Sequence, residues 1–245
     1  MITAIIQARF SSTRLPGKVL LPLGDKTVLE RVVDRVSKAK NISQVVLATS
    51  SEKDDDQIFE LCNQKGVKCF RGDLNDVLDR YYQAAKEFEA KNICRITADC
   101  PLIDPEIIDR VADKFLEAGY DYISTGRITS TFPDGMDTEI FTFESLERAW
   151  KEAKLSSERE HVTPYIWKNT DKFKIYTYES GQDLSSYRLT LDEEKDYQLI
   201  KNIYENLEDL SMKSIIDYLN SHLELTNINS SIKRDEGYDK SLKND

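Results

Sequence analysis

Residues 2–20 read ITAIIQARFSSTRLPGKVL, an apolar run followed by a polar segment with one Pro-Gly pair. Ile2 to Ile6 is apolar and bounded by polar residues, which predicts a buried β-strand. The segment that follows carries the cations Arg9, Arg14 and Lys18 among small and hydroxyl residues. The sequence therefore predicts a first strand whose carboxyl end leads into a loop rich in cations.

Strand and helix patterns alternate through about residue 125, which predicts a three-layer α/β fold with a mostly parallel central sheet and helices on both faces. In such sheets ligands bind beyond the carboxyl ends of the strands, which is where the opening loop begins. After Ile2–Ile6, the predicted strands are Gln44–Thr49, Val67–Phe70, Asn92–Thr97 and Tyr120–Ser124, and the predicted helices are Thr27–Lys38, Asp54–Lys65, Asp76–Ala90 and Pro105–Ala118.

The pattern changes in the second half of the chain. Residues 127–143 contain a turn at Pro133–Gly135 with a strand after it, which predicts a hairpin excursion from the sheet. Residues 1–225 are predicted to form one catalytic domain, and the polar residues 226–245 a mobile tail or a strap over the body. The remaining predicted helices are 144–154, 158–167, 193–206 and 211–222, and the remaining predicted strands are 173–179 and 187–191.

Composition narrows the classes of protein. The chain has 245 residues, of which 40% are hydrophobic and 32% charged, as expected of a soluble globular protein. Its apolar runs are shorter than the ~20 residues that span a bilayer, and Arg9 follows the first apolar run rather than preceding it, unlike a signal peptide. We therefore expect a cytoplasmic protein with no membrane partner. The net charge of −10 argues against general nucleic-acid binding.

The cysteines predict no metal centre of the zinc type. Cys62, Cys69, Cys94 and Cys100 form no CxxC pair, and the chain has two histidines. Reduced cysteines in or near the core are the favoured interpretation. The cations of the opening loop then act locally, and a small anion is the ligand that we expect.

The opening loop has the parts that phosphate recognition needs. Arg and Lys supply positive charge, and Gly17 lets the backbone approach a ligand closely. The spacing is neither that of a Walker A loop nor that of a dinucleotide-binding Gly-x-Gly-x-x-Gly loop. The alternative is a solvated loop with ordinary surface cations.

The stretch IIQARFSSTRLPGKVL is similar to the start of the sugar-acid cytidylyltransferases, which include the 3-deoxy-manno-octulosonate and acylneuraminate enzymes. The stretches DVLDRYYQAAK, RITADCPLIDPEIID, SEREHVTPYI and IKRDEGYDKSL most resemble the spore coat polysaccharide biosynthesis protein F family. This resemblance implies the Rossmann-like fold of nucleotide-diphospho-sugar transferases and CTP as the nucleotide. It also implies phosphate contacts from Arg9, Arg14 and Lys18, with Ala8 and Ser12 nearby and Arg14 and Lys18 in catalytic roles.

Two positions depart from the family pattern. The octulosonate enzymes have Pro before the Ala-Arg pair, where this chain has Gln7, and their base-reading Gln corresponds here to Thr97. The resemblance places Thr97 and Arg71 on the nucleotide side, near the base.

Two acids follow predicted strands. Asp99 comes just after Asn92–Thr97, and Asp192 comes just after the predicted strand 187–191. Nucleotidyl transfer needs a divalent cation held by carboxylates, and magnesium takes one or two of them. The resemblance places Mg²⁺ ligands at these same positions, which also makes Asp99 a catalytic residue. The alternative is helix capping, which we favour for Asp104 but not for Asp192.

PDGMDTEIF and SEREHVTPY are expected to cover the acceptor side. Asp137, Glu139, Arg159 and His161 are the candidate acceptor-binding residues, and a carboxylate on the acceptor favours Arg159 or Arg127 opposite it. His161 is a candidate general base, although a single histidine is more often structural. Arg80 either reaches the nucleotide or pairs with Asp76.

Together these observations predict a magnesium-dependent cytidylyltransferase that transfers CMP from CTP to a sugar acid or related acid and releases pyrophosphate, for surface polysaccharide or glycan synthesis. One rival is a metal-dependent glycosyltransferase of the same fold, and the other is a non-catalytic nucleotide-binding protein. A homodimer is expected, because the enzymes that the chain resembles are dimers and the hairpin carries Phe132, Met136, Ile140 and Phe141.

Overall fold

The computed structural model describes residues 1–126 and 129–245. Each strand that the sequence predicts in the first half is present, and its ends differ from the prediction by at most two residues. The strands are β1 (Ile2–Gln7), β2 (Pro22–Leu23), β3 (Lys26–Thr27), β4 (Ile42–Ser50), β5 (Lys68–Gly72), β6 (Asn92–Thr97), β7 (Tyr122–Ser124), β8 (Glu139–Thr142) and β9 (Ile175–Thr177).

The main sheet has the order β5-β4-β1-β6-β8-β7-β9, counted over the described residues. Strands β1, β4, β5 and β6 are mutually parallel, and β7 is parallel to β9. Strand β8 alone in this order is antiparallel to both of its neighbours, β6 and β7. The predicted α/β fold with a mostly parallel sheet is therefore confirmed.

Helices flank the sheet, and their ends follow local capping signals. Thr27 and Glu30 form a capping box at the start of the first long helix, and Asp104 accepts a hydrogen bond from the Glu106 amide before Pro105 opens another. The predicted cap role of Asp104 is confirmed. The helices are α1 (Val28–Val36), α2 (Asp56–Lys65), α3 (Val77–Glu87), α4 (Pro105–Ala118), α5 (Phe143–Glu152), α6 (Ser156–His161), α7 (Pro164–Lys168), α8 (Glu194–Asn206), α9 (Met212–Ser221), α10 (Leu223–Thr226) and α11 (Glu236–Ser241).

Strand β1 shows why the fold has three layers. Ala4 and Ile6 belong to the apolar cluster that packs against α1, α2, α4, α8 and α9, whereas Ile5 belongs to a second cluster with α3 and α5. Successive side chains of a strand point to opposite faces, so an uninterrupted apolar strand needs a helical layer on each side.

The predicted hairpin excursion does not leave the sheet. Its strand, β8, lies between β6 and β7, and Phe132, Met136, Ile140 and Phe141 are all buried within the protein's own core. The argument that these four side chains require cover from a second subunit is therefore wrong, and the homodimer itself stays a prediction. Arg127, at the start of this segment, lies outside the described residues.

The predicted strand at 187–191 is wrong. Instead of joining the sheet, this segment pairs with the turn that follows Pro133: Asp134 N donates to Tyr187 O at 2.9 Å, and Leu189 N donates to Asp134 O at 2.6 Å. Gly135 adopts a φ of +99°, and a Cβ there would stand 2.6 Å from the backbone of Leu189 and Thr190. Only glycine allows this close approach.

The polar residues 226–245 fold back onto the body rather than extending away from it. They include the whole of α11, a 3₁₀ turn at Leu242–Asn244 and the buried side chain of Ser241. Of the two predicted alternatives, the strap describes this arrangement. Across the described chain, no helix is both long enough and apolar enough to cross a lipid bilayer.

Candidate active site

A cavity of about 410 Å³ opens at the carboxyl ends of β1 and β6. This is the edge of a parallel sheet at which ligands are expected. Its walls come from the opening loop, the start of α3, the segment after β6, the end of α6, Asp192 and the C-terminal residues. The lining residues are Gln7, Ala8, Arg9, Ser12, Thr13, Arg14, Lys18, Val19, Val77, Arg80, Thr97, Ala98, Asp99, Glu160, His161, Asp192, Gly237, Lys240, Ser241 and Asn244.

Local contacts fix the opening loop. Gly17 has a φ of +69°, and a Cβ there would stand 2.9 Å from the ring of Phe10. The buried Asp55 carboxylate accepts a hydrogen bond from the Phe10 amide at 2.6 Å and others from the Ser50 amide and hydroxyl. A glycine turn and a buried carboxylate therefore hold both ends of the loop, which directs Lys18 into the cavity.

The Lys18 ammonium is the centre of the site. It donates to Asp99 Oδ2 at 2.8 Å, to Asp192 Oδ1 at 2.7 Å and to the Leu191 carbonyl at 2.8 Å. Lys18 itself is 8% exposed. We call Lys18, Asp99 and Asp192 the cavity cluster. The cluster is held together by the backbone, because Leu191 N donates to Asp99 O at 2.8 Å.

Two guanidinium groups surround Asp192. Arg14 contacts Asp192 Oδ2 at 2.9 Å and Glu236 Oε2 at 3.4 Å, and Arg188 contacts the same Asp192 oxygen at 3.1 Å. Arg188 is also bonded to the buried Asp196, whose second oxygen accepts from the amides of Asp192 and Glu193. Asp192 is therefore not the cap of α8, and its carboxylate faces the cavity cations.

The charges of the cavity cluster stabilise one another. Burial disfavours the charged form of Lys18, but the carboxylates of Asp99 and Asp192 outweigh it, so the pKa of Lys18 is raised. Burial likewise opposes ionisation of Asp99, yet the Lys18 ammonium holds the pKa of that carboxyl well below its ordinary value. Lys18 and Asp99 are thus both charged near neutral pH.

The oxygen atoms around the Lys18 ammonium are suitable ligands for magnesium. Two carboxylate oxygens and one carbonyl oxygen already converge on a single cation, and all three are hard oxygen ligands. The described residues hold no group of three or more His, Cys, Asp or Glu side chains able to bind a metal by themselves. A magnesium ion here would therefore rely on Asp99 and Asp192 together with oxygens of its substrate.

The comparisons with known proteins identify the family. The family model described as cytidylyltransferase matches residues 3–227. The chain belongs to the cytidylyltransferase family. The resemblance seen in the opening loop is thus confirmed, and the enzyme is a nucleotidyltransferase that uses CTP.

Relatives match over nearly the whole length of this cytidylyltransferase. An uncharacterised protein of Methanocaldococcus jannaschii is 42% identical over 237 residues, which is 95% of this chain and 96% of that protein. Spore coat polysaccharide biosynthesis protein SpsF of Bacillus subtilis is 34% identical over 229 residues, 89% of this chain and 94% of SpsF. A solved cytidylyltransferase structure from Leptospira borgpetersenii has a TM-score of 0.87 at 38% identity, covering 95% of this chain and 99% of that one.

The structure brings most of the predicted nucleotide and metal residues of the cytidylyltransferase to one cavity. Both predicted metal ligands and the residues of the opening loop are there, as is His161 from the acceptor side. The predicted site residues that line the cavity are Ala8, Arg9, Ser12, Arg14, Lys18, Thr97, Asp99, His161 and Asp192.

The structure does not bring Arg71 to the cavity. Its guanidinium donates to the Ser50 and Glu52 carbonyls, both at 2.9 Å, and to Asp56 at 2.7 Å. Arg71 lies on β5, the edge strand of the sheet, and these contacts direct its side chain to the loop that follows β4. The structure shows protein partners for Arg71 outside the cavity wall, and its placement near the base stays a prediction.

Glu139 and Asp137 are likewise absent from the cavity wall. Glu139 is 1% exposed; it is bonded to Arg95 and accepts from Tyr122 at 2.7 Å and Thr163 at 2.5 Å. Asp137 is paired with Arg234 at 2.7 Å. Protein groups occupy both carboxylates away from the cavity, and contact of these two acids with an acceptor stays a prediction.

The two arginines near α3 lie at different places. Arg159 lies in an adjoining cleft, where it donates to Asp76 Oδ2 at 2.5 Å and to the Trp150 carbonyl at 2.8 Å. Arg80, which had been a candidate partner of Asp76, instead donates to the Asp73 carbonyl and lines the cavity. Arg80 is 1% exposed, and its Nε has no hydrogen-bond partner in the part of the chain that the structure describes.

Sequence reasoning missed several residues of the site. Asp55 holds the opening loop and Arg188 holds Asp192, while Lys240 and Ser241 come from the C-terminal residues. A signal for the last two was present in the sequence, because IKRDEGYDKSL, one of the stretches in which the resemblance was seen, contains both residues.

Proposed function

We propose that this cytidylyltransferase transfers CMP from CTP to a sugar acid or a related acid, with magnesium, and releases pyrophosphate. The proposal includes a role in surface polysaccharide or glycan synthesis, as the name of the SpsF relative suggests. A cytoplasmic location and assembly as a homodimer belong to the same proposal.

One observation supports this function above all others. The opening loop places the Lys18 ammonium and the Arg14 guanidinium in the cavity. There they contact the carboxylates of Asp99 and Asp192. Cations for a triphosphate and carboxylates for a divalent metal are the two requirements of nucleotidyl transfer. A cavity that recognised only a neutral sugar would need neither.

In the proposed reaction, an acceptor hydroxyl loses its proton to solvent as its oxygen attacks the α-phosphorus of CTP in line, and the bond to the bridging oxygen breaks. Pyrophosphate departs with the electron pair of that bond. Arg14 and Lys18 exchange their carboxylate partners for phosphate oxygens and stabilise the charge of the leaving group. Asp99 and Asp192 would hold the magnesium ion, which when bound neutralises charge that develops on the α-phosphate.

Orientation comes from the protein itself. The buried Asp55 and the turn at Gly17 fix the loop, and the contact from Leu191 N to Asp99 O fixes the distance between the two acids. Because the backbone of the loop and of the two acids is in place before any ligand arrives, binding requires only that Arg14 and Lys18 exchange their side-chain partners.

The experiment is a matrix of the four nucleoside triphosphates against a panel of sugar acids, each with its neutral sugar as control, read as pyrophosphate release. We expect release with CTP, with at least one acid, and only when magnesium is present. Preference for another triphosphate, or equal rates with neutral sugars, would contradict the proposal. Rates that persist in the presence of a chelator would contradict the magnesium requirement separately.

A further inference from the structure

Residues 234–245, which we call the strap, form one wall of the cavity. Gly237, Lys240, Ser241 and Asn244 of the strap line it, opposite the opening loop. The strap thus contributes side chains to the same space as the cavity cluster, although it is the part of the chain farthest from the opening loop in sequence.

Polar contacts hold the strap in place at both ends. Arg234 donates to Asp137 at 2.7 Å and to the Phe132 carbonyl at 3.0 Å. At the other end, the Asp245 carboxylate accepts from the amide and hydroxyl of Ser157 at 2.8 and 2.6 Å. The strap therefore joins the turn after β7 to helix α6, the two regions that the sequence assigned to the acceptor side.

Ser241 sets the position of the wall itself. This buried residue donates to Glu160 at 2.6 Å, and its hydroxyl lies 2.9 Å from Nε2 of His161. The ring of Tyr238 meets the His161 ring edge-on, with 5.1 Å between centroids. His161 therefore packs against the strap, and its contact with an acceptor stays a prediction.

Lys240 is the adjacent residue of α11, and its environment differs from that of two other cavity cations, Lys18 and Arg14. Lys18 and Arg14 are both bonded to carboxylates. The Lys240 ammonium is exposed at the cavity and has no carboxylate or carbonyl partner within the described residues. This cation has no counter-ion and lies on the wall that faces the opening loop. It is therefore suited to bind an anionic group of a ligand.

We propose that Lys240 binds the anionic group of the acceptor and that Ser241 is the residue that positions it. This inference rests on the proposed function, because it assigns the acid of the acceptor to the strap. The anion has two possible sources, the acid group of the acceptor and the triphosphate of CTP. The arrangement favours the acceptor, since the opening loop already supplies Arg14 and Lys18 to the triphosphate.

The test compares Lys240→Ala with Lys243→Ala, a matched control that removes the same charge from an exposed strap residue outside the cavity wall. The substrates are CTP and the acid that gives most pyrophosphate with the wild-type enzyme, together with the methyl ester of that acid. For Lys240→Ala we expect the KM for the acid to rise about tenfold or more, which is the effect of losing one charge-assisted contact. CTP affinity by calorimetry should change less than about twofold.

The methyl ester isolates the charge. The wild-type enzyme should prefer the acid to its ester, and Lys240→Ala should lose most of that preference, whereas Lys240→Arg should keep it. Ser241→Ala should raise the KM for the acid with little change in kcat, because the ammonium is still present but less well placed. A merely structural role of Ser241 would instead lower kcat and stability without changing the preference for the acid.

Each outcome separates the proposals. If no acid supports pyrophosphate release with the wild-type enzyme, the acceptor class under the proposed function is wrong, and this inference is wrong with it. If an acid is used but Lys240→Ala matches Lys243→Ala in KM and in acid preference, only the role of Lys240 is overturned. If Lys240→Ala weakens CTP tenfold and leaves the KM for the acid unchanged, Lys240 is a phosphate contact instead.

Discussion

Two groups of charged residues in this protein show when a charge serves a ligand and when it serves the fold. The cavity cluster has side chains that are 10%, 25% and 19% exposed for Lys18, Asp99 and Asp192. The second group, which we call the buried network, is Arg95, Tyr122, Glu139 and Thr163; here the side chains of Arg95 and Glu139 are 5% and 2% exposed. Both groups contain acids and bases in contact, so charge alone does not distinguish them.

The difference lies in what surrounds each group. The cavity cluster borders free volume, so its ions can exchange protein partners for ligand atoms. In the buried network both carboxylate oxygens of Glu139 are already bonded to protein groups. Arg95 of β6 and Glu139 of β8 lie directly opposite each other. Their ion pair therefore fixes the antiparallel strand β8 against the parallel strand β6. The lesson is that a charged residue needs adjacent space before it can be assigned to a substrate.

The largest expected effect concerns the cavity cluster. Asp99→Asn or Asp192→Asn keeps the shape of the side chain but removes the charge that a cation needs. We expect a loss of several hundredfold or more in turnover, about 4 kcal/mol in the barrier, with circular dichroism unchanged. The double variant should be little worse than either single one, because losing one ligand already disables the site.

Asp104→Asn is the matched control for these variants, since Asp104 caps α4 and asparagine caps equally well. It should retain near-normal pyrophosphate release at saturating CTP and magnesium. Folded Asp99→Asn and Asp192→Asn variants that keep more than about a tenth of wild-type turnover, a barrier change under ~1.4 kcal/mol, would show that these acids do not hold a catalytic metal.

The second prediction concerns the buried network. Glu139→Ala leaves Arg95 buried without its counter-ion, which typically costs about 3–5 kcal/mol of the free energy of unfolding. Urea denaturation measures this loss, and CTP affinity of the folded variant should stay within about threefold of wild type. Glu139→Gln, which keeps the hydrogen bonds to Tyr122 and Thr163, provides a milder variant in case the alanine protein does not fold. Normal stability combined with a raised KM for the acceptor would return Glu139 to the acceptor site.

The third prediction compares how CTP affinity depends on a cation inside the cavity, Lys18, and on one outside it, Arg71. Lys18→Ala removes a contact to the triphosphate worth roughly 1.5–3 kcal/mol, so CTP should bind about ten- to a hundredfold more weakly by calorimetry. Arg71→Ala should leave CTP affinity within about twofold, because its guanidinium is bonded to Asp56 and backbone carbonyls away from the cavity. Equal effects of the two substitutions would mean that the cavity is not the nucleotide site.

The smallest expected effect concerns Glu152, a charged surface residue that is neither buried nor part of the cavity. Hydrogen bonds from Tyr165, Lys172 and Arg148 lower the pKa of Glu152 from 4.5 to about 2. A depressed pKa in the folded state stabilises the protein above the unfolded value, and this contribution is lost as pH falls from about 4.5 towards 2. The difference in unfolding free energy between wild type and Glu152→Gln should therefore shrink over that range.

Glu179→Gln serves as the control in the pH series, since Glu179 is exposed and forms no ion pair within the described chain. Its difference from wild type should stay close to zero at every pH. A Glu152→Gln difference that did not change between pH 6 and pH 3 would mean that the contacts of Glu152 do not act through its charge.

Much of the fold follows from strong local signals in the sequence. Asn92–Thr97 and Pro105–Ala118 have the predicted ends, because proline, glycine and an aspartate cap mark the boundaries. The segment 187–191 was not predictable in the same way. Its alternating residues Tyr187, Leu189 and Leu191 show the period of a strand. However, the segment pairs with a turn more than fifty residues earlier in the chain. A hydrophobic period does not identify the partner of a segment.

The candidate site was predictable where the backbone dictates direction. Asp99 and Lys18 follow strand ends, and parallel strands bring their carboxyl ends to one edge whatever the side chains are. Arg71 and Glu139 lie within strands, where the face, the neighbouring strand and the available partners decide what a side chain contacts. Those depend on strand order, and the antiparallel insertion of β8 was not visible in the sequence.

The strap has a consequence for how the protein responds to ionic strength. Its links to the body include the partly exposed ion pairs from Arg14 to Glu236 and from Arg234 to Asp137, whereas the sheet and its helices are joined by two apolar clusters. Added salt screens exposed charges over a few ångströms but does not weaken apolar burial. We therefore expect added salt to loosen the strap, one wall of the cavity, more than the sheet that carries the opposite wall.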